Sequence, residues 1–401
     1  MNILQITNKF PYPPKDGASV CIWNMTESFA FAGHSVTVLA LNTNKHHTDF
    51  SAETANLPNN IQIYPIDINT DRKAFALLFN LMFSKLPYTA TRFYSKAFEN
   101  KLIELLDANK YDVIQIELPY QAYYIPIIRK HSNALISLRL HNVENEIWKR
   151  LAINEKSKFR RDYIDDLAQR IENFEVNMLK EADCFIPVTK RDCDYFISLG
   201  IDKPHLVAPI GIQSRYVDSV KVSHTSLNYL FIGTLDWQPN VEGLLWFLDN
   251  VWKEVIKIQS DKQFYIIGRY APEDLAETLK RYPNTTFLGA VDNAINYMKS
   301  YAVMVVPLQS GSGMRVKIIE GMAAGCAIIS TAMGAEGVDA VDGESIIIAN
   351  SAYEFIEKIK NTSVETTNAV ANNAKNFLLT NYNAENIANS VLRFYDGLLS
   401  S

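Results

Sequence analysis

The stretch Val305-Val306-Pro307-Leu308-Gln309-Ser310-Gly311-Ser312-Gly313-Met314-Arg315-Val316-Lys317-Ile318-Ile319-Glu320-Gly321-Met322-Ala323-Ala324-Gly325 gathers groups suited to holding an anion. An apolar strand ends at Pro307, a small-residue loop follows, and the pattern predicts a helix starting near Met314. Gly311 and Gly313 let main chain approach a ligand closely. The free N–H groups and partial positive charge of a helix start favour a group such as a diphosphate. Arg315 and Lys317 add formal charge at that end, where the helix dipole alone disfavours it; a bound anion removes the conflict. The plainer reading is a loop with solvated charges and a surface Lys317–Glu320 pair. On a regular helix Arg315 and Lys317 point about 200° apart, which favours Arg315 for the anion and leaves Lys317 a lesser share. Glu320 lies among Ile318, Ile319, Met322 and Ala323 on a helix expected to be largely buried. A carboxylate there must accept hydrogen bonds, and the vicinal hydroxyls of a ribose supply two.

A second group of polar residues closes an apolar strand: Ser137-Leu138-Arg139-Leu140-His141-Asn142-Val143-Glu144. The plainer reading of His141 is a histidine hydrogen-bonded at a strand end. Glu117, after Val113-Ile114-Gln115-Ile116, occupies a comparable edge; it orients a substrate hydroxyl or pairs with a neighbouring base. Asp16 and Gly17 either admit a substrate beside the phosphates or form a structural turn. Asp192-Cys193-Asp194 has D-x-D spacing but opens a helix, where acids help in any case, so no metal site is assigned. The seven histidines form no H-x-x-x-H or H-E-x-x-H set, and structural zinc is not expected. No G-x-S-x-G elbow is present. The Ser312 loop holds G-x-G without G-x-G-x-x-G, a poor nicotinamide site.

These residues need a frame, and the chain begins one twice. Ile3–Thr7 is a short apolar run that enters a loop, Asn8 to Gly17, with Pro11, Pro13 and Pro14. A helix from about Ser19 to Ala32 ends at Gly33-His34, and Ser35–Leu41 reads as a buried strand. The cadence recurs at Tyr229–Gly233, a loop from Thr234 to Asn240, a helix from Val241 to Ile258, and Phe264–Gly268. Apolar runs at 112–116, 135–140, 184–188, 286–288, 302–306 and 326–330 alternate with helical segments. Such alternation predicts parallel sheets covered on both faces, and two restarts predict two of them. We expect an amino-terminal domain over 1–205, a linker over 206–227, and a second domain over 228–380. A helix over 381–401 is expected to pack back toward the first domain.

Composition narrows the class. The chain has 401 residues, 48% hydrophobic and 21% charged, with a net charge of −5. That excludes a fibrous or largely disordered chain and gives no broad drive toward nucleic acid. No run approaches the ~18 apolar residues that span a bilayer. Met1 to Pro14 lacks a basic segment followed by an apolar core, so no secretory signal is expected. Four scattered cysteines, Cys21, Cys184, Cys193 and Cys326, fit reduced thiols in a cytoplasmic protein.

The arrangement P-L-x-S-G-S-G-x-R-x-K-I-I-E-G-M-A-A-G-x-A-I-I-S-T resembles the donor-binding signature of glycosyltransferase family 4, retaining enzymes with the two-domain GT-B fold. Phe231-Ile232-Gly233-Thr234-Leu235-Asp236-Trp237 with Asn240 looks like that family's opening strand and loop. Gly268, Gly289–Asp292 and Tyr301-Ala302 follow in the expected order, and the Asn8–Gly17 loop with Gly33–Val38 resembles its first domain. The chain departs in two places. Where the family carries two glutamates eight positions apart, Glu320 matches the second and Ser312 stands at the first. This fits a subgroup with S-G-x-R-x-K and a shifted donor preference. The basic residues usual in the opening loop are also missing; Arg315, Lys317 and Arg269 are their expected substitutes.

The resemblance implies an α/β GT-B fold, two facing Rossmann-like domains with an interdomain cleft. It implies transfer of a sugar from a nucleotide-diphosphate sugar to a glycan, lipid-linked or small-molecule acceptor, with retention, without metal and without a resident cofactor. His141, Arg315 and Lys317 take catalytic roles. Gly233, Thr234, Arg269, Gly311, Ser312, Gly313, Met314 and Glu320 bind the donor; Gly17, Asp16, Glu117 and Asn142 line the acceptor side. A nucleotide-sugar epimerase of similar fold and a catalytically silent nucleotide-sugar binder are the alternatives. The apolar segment 74–83 and the basic segment 149–161 suggest peripheral contact with the inner face of the plasma membrane; a core helix with a solvated basic face is the plainer reading.

Overall fold

Along the first strand Leu4 and Ile6 enter one hydrophobic core and Ile3 enters another, as period-two alternation requires of a sheet covered on both faces. The computed structural model describes residues 1–14, 16–49, 57–71, 80, 84, 86–291, 294–311 and 313–400. Its first unit comprises Met1–Ile210 and Ala384–Ser401, its second Gly211–Asn383.

The first unit is built on β1 (Asn2–Thr7), β2 (Ser35–Thr43), β3 (Ile61–Ile68), β4 (Val113–Glu117), β5 (Leu135–Leu140) and β6 (Cys184–Pro187). They form one parallel sheet in the order β3-β2-β1-β4-β5-β6. The edge strand β3 escaped the sequence reading because Pro65 interrupts its pattern; an edge tolerates a residue with no N–H to donate. Helix α1 (Gly17–Phe31) follows β1 and is buried from Ser19 through Ala30. Helices α2 (Glu144–Asn154) and α3 (Lys158–Glu181) connect β5 to β6, and α4 (Lys190–Ser198) follows β6 and packs against it.

The second unit repeats the plan with β7 (Asn228–Ile232), β8 (Gln263–Ile267), β9 (Thr285–Gly289), β10 (Val303–Val306), β11 (Ala327–Ser330) and β12 (Ile347–Ile348). These are also parallel, in the order β12-β11-β10-β7-β8-β9. Helix α5 (Gln238–Phe247) continues through one π turn at Leu248–Trp252 to Ile258, and α6 (Val316–Ala323) joins β10 to β11. Helix α7 (Ala384–Leu399) returns to the first unit, where Ala388, Val391, Leu392 and Tyr395 share a core with Trp23, Phe29 and Val38.

Both sheets reverse their strand order once, between β1 and β4 and between β7 and β10. Ligands of such sheets bind beyond the carboxyl ends of the strands at that reversal, because the flanking loops diverge to opposite faces there. Glu117 ends β4; the Gly233 and Gly311 loops follow β7 and β10. Among the described residues no helix is long and apolar enough to cross a membrane.

Candidate active site

In the second unit the loop after β10 is tied down before it reaches its basic residues. Ser330 Oγ donates to Val306 O at 3.1 Å, Thr331 Oγ1 donates to Leu308 O, and Gly334 N donates to Thr331 Oγ1. A β-carbon on Gly243 of α5 would stand 2.6 Å from Pro307 O, so only glycine lets that helix lie against the start of the loop. Gly311 and Gly313 adopt φ of +121° and +78°, conformations that side chains resist. Ser312, between them, lies outside the described residues.

Helix α6 begins at Val316, two residues later than the pattern predicts. Arg315 is its N-cap, with non-helical angles and no capping side chain. The 200° separation expected on a regular helix therefore does not apply. The Arg315 guanidinium lies over the Trp237 ring at 5.5 Å and beside Gly311, where a β-carbon would meet Nη2 at 2.5 Å. Lys317 Nζ donates to Asn240 Oδ1 at 2.8 Å and to Ile232 O at 3.2 Å, over the Phe231 ring. Both cations thus face the loop between β7 and α5. Burial, together with repulsion from Arg315, pushes the Lys317 amine down to about 7.

Asn240 organises that loop. Its Nδ2 donates to Thr234 O at 2.9 Å, and its amide packs so tightly on Gly233 that a β-carbon there would stand 2.6 Å from it. Arg269 contributes its main chain, accepting from Leu235 N at 2.8 Å. On α6, Lys317 and Glu320 are the two half-buried residues among buried apolar neighbours, three apart and on one face. Glu320 is less enclosed than expected. Met314 is buried.

The first unit brings Glu117 and His141 together. Their strands are adjacent, and the β4–β5 register sets Glu117 beside Arg139. Glu117 Oε2 lies 2.7 Å from His141 Nε2 and 3.6 Å from Arg139 Nη1, which also donates to Cys21 O at 3.1 Å. Cys21 Sγ stands 3.5 Å from the same histidine nitrogen. Burial opposes an imidazolium here, but Cys21 and the Glu117 carboxylate outweigh it and lift His141 to about 9. Burial likewise opposes charge on Glu117, and Arg139 with His141 overcomes it, holding the carboxyl below its ordinary range. Among the described residues His141 Nδ1 is buried with no hydrogen-bond partner.

The polar chain continues beyond the pair. Gln115 Nε2 donates to Glu117 Oε1, and Tyr395 of α7 donates its hydroxyl to Gln115 Oε1 at 2.8 Å. Leu118, directly after Glu117, has φ of +72°, an uncommon state for a side-chain-bearing residue and one concentrated at functional sites.

Other expected residues have local partners of their own. Asp16 caps α1 in a reciprocal capping box with Ser19 and pairs with Lys9, and Gly17 opens that helix. Asn142 hydrogen-bonds the Glu144 side chain. Asp192 and Asp194 pair with Arg191 and Lys190 respectively, and Thr189 caps the helix that carries them. Among the described residues no group of His, Cys, Asp and Glu could hold a metal ion. Arg139, Cys21, Gln115, Tyr395 and the central role of Asn240 were not assigned from sequence; a guanidinium and two carboxamides inside otherwise apolar or loop segments were the available signal.

Residues 226–365 match the family described as Glycosyl transferases group 1. An uncharacterized 44.6 kDa protein in the cps region of Klebsiella pneumoniae is 27% identical, over 98% of this chain and 99% of that protein. An uncharacterized glycosyltransferase of Methanocaldococcus jannaschii is 24% identical over 84% of this chain and 82% of its own. Among solved structures, a sucrose-phosphate synthase from Thermosynechococcus elongatus superposes with a TM-score of 0.70 at 16% identity, covering 100% of both chains. HepE of Anabaena, in complex with UDP, gives 0.66 at 13% identity over 99% of this chain and 100% of its own. The chain has the two-domain GT-B fold, and residues 226–365 of its second unit are similar to the Glycosyl transferases group 1 family.

Proposed function

We propose that the chain is a retaining glycosyltransferase that moves a sugar from a nucleotide-diphosphate sugar to a carbohydrate or lipid-linked acceptor without a metal ion. The observation that carries this reading is the convergence of Arg315 and Lys317 on the Gly233–Asn240 loop, at the strand-order reversal of a glycosyl transferase domain. Arg315, Lys317 and the main chain of Gly311 to Gly313 hold the diphosphate; Arg269 adds charge at the same edge. Glu320 accepts the ribose hydroxyls. Charge developing on the departing diphosphate is met by fixed cations, so the chemistry needs positioning and electrostatics rather than a protein nucleophile. The leaving phosphate takes the acceptor proton, and His141 donates to the sugar through Nδ1. Exclusion of water from the bound donor suppresses hydrolysis. The full-length relative in a cps region favours a surface-polysaccharide product.

Ser312, in place of a glutamate, favours a second reading: a binder without turnover. Melting shifts with a panel of nucleotide sugars identify the donor, since stabilisation grows with ligand concentration over its dissociation constant. Acceptor-dependent nucleoside-diphosphate release in excess EDTA then supports the transferase. Binding with no release supports the silent binder, and release without any acceptor supports an epimerase. A strict divalent-metal requirement overturns the metal-free mechanism.

A further inference from the structure

Helices α2 and α3 form a hairpin whose tip is unlike the rest of the surface. Leu151 is 46% exposed, Ile153 77% and Phe159 85%; among the described residues, only here do three exposed large apolar side chains fall within nine positions. Each isoleucine or phenylalanine left in water forfeits the gain its burial brings, so three together point to a surface that is covered in use. Lys156, Lys158, Arg160 and Arg161 alternate with them and are exposed. Among the described residues none of these four takes an acidic partner. Not all the basic residues of the segment belong to this face: Lys149 pairs with Glu172 and Arg150 with Glu146, so both already have acidic partners. Glu155 spends its carboxylate on Ser157 N, at 2.9 Å, in the connection itself. Acids resume at Asp162, Asp165 and Asp166, which bounds the basic face to the tip.

We propose that this tip docks on an anionic lipid bilayer, with Leu151, Ile153 and Phe159 entering the interface and Lys156, Lys158, Arg160 and Arg161 meeting lipid phosphates. Apolar groups interleaved with cations suit a bilayer surface, where the two contributions add. Neither alone holds a protein there. Charge complementarity selects anionic over zwitterionic lipid. The segment 74–83, which also suggested membrane contact, lies outside the described residues except Asn80, and the proposal does not use it.

The test is flotation of the full-length protein with vesicles of phosphatidylcholine alone and of phosphatidylcholine mixed with phosphatidylglycerol. The wild-type chain binds the mixed vesicles and is released by salt, because exposed charges are screened within a Debye length. The double variant Ile153→Ser, Phe159→Ser loses binding while its melting temperature is unchanged, since both side chains are already in water. The double variant Lys156→Gln, Lys158→Gln weakens binding about tenfold or more. Wild-type protein that stays unbound, or apolar variants that bind like wild type, overturn the proposal. So does a dimer in sedimentation velocity that Phe159→Ser dissociates when no vesicle binding is seen, which assigns the tip to self-association. None of these readouts depends on catalytic activity.

Discussion

His141 and Glu117 form an ion pair almost sealed from water, with Nε2 and Oε2 2.7 Å apart and side-chain exposures of 5% and 0%. A pair this deep gives little net stability, because the attraction mainly offsets desolvation. Its effect is to fix a proton. With Nε2 on Glu117, the imidazolium keeps Nδ1–H available, and among the described residues no group accepts from it.

Replacing Glu117 with glutamine should therefore lower the His141 pKa, from about 9, by about 1–3 units, the scale of losing one opposite charge at contact. An NMR titration of the histidine ring measures it directly. An unshifted pKa sinks the assignment of Glu117 as the group that keeps His141 charged. The pair also carries a stability signature of defined sign. Its folded-state pKa exceeds the ordinary value near 6.5, so its contribution is complete below about 6.5 and is lost as pH rises through about 9.

Lys317 behaves in the opposite sense. Its free-state pKa of about 7 leaves the amine half neutral at physiological pH, and a bound diphosphate draws the proton back. Nucleotide-sugar affinity should fall by up to about tenfold per pH unit between pH ~7 and ~9. Isothermal titration at several pH values shows the trend, and Lys317→Ala should flatten it. A wild-type affinity independent of pH across that range counts against the contact.

Arg315→Ala should lower turnover by about 100- to 1,000-fold, the effect of removing one transition-state electrostatic contact, with a smaller change in donor affinity. Steady-state kinetics of both single variants separates the roles. The expectation fails if Arg315→Ala is near normal and Lys317→Ala is inactive.

Glu320→Gln should weaken nucleotide binding by about 1.5–3 kcal/mol, the range for hydrogen bonds to a charged group, while the variant melts like wild type. Equal affinity for UDP and GDP before and after substitution would remove Glu320 from the site.

Gly243→Ala tests the scaffold rather than the chemistry. Its methyl carbon would lie 2.6 Å from Pro307 O, a rigid main-chain atom, so helix α5 or the donor loop must move. Overpacking of this kind costs about 1–3 kcal/mol. Differential scanning calorimetry should show a lowered Tm together with weaker nucleotide binding; a variant that melts and binds as wild type contradicts the packing.

The parallel α/β plan and the Pro307–Gly325 segment were legible because each signal is local: an apolar run, a glycine, a charge within one turn. The start of α6 was misjudged by two residues because Met314 and Arg315 are good helix formers, while Gly313 at positive φ decides where the helix can begin. The His141 surroundings were only half legible. Glu117 and His141 stood out at strand ends, but Cys21 is 120 positions from His141 and Tyr395 is 280 from Gln115. Sheet register and helix docking bring such residues together, and neither is written in local spacing.

The return of α7 to the first unit has a consequence for how the protein is made. A ribosome delivers Met1–Ile210 and then all of Gly211–Asn383 before Tyr395 exists. Until then Gln115 Oε1 and Ser137 Oγ, both fully buried in the finished fold, lack the hydroxyl that completes them. The line of hydrogen bonds from Tyr395 through Gln115 and Glu117 to His141 is closed only after the whole second unit has been made. A nascent chain can form the loops of its second unit before this line exists, and the surroundings of His141 are completed only afterwards. A product cut at residue 383 would keep every site residue expected from the sequence and still lack the far end of this line.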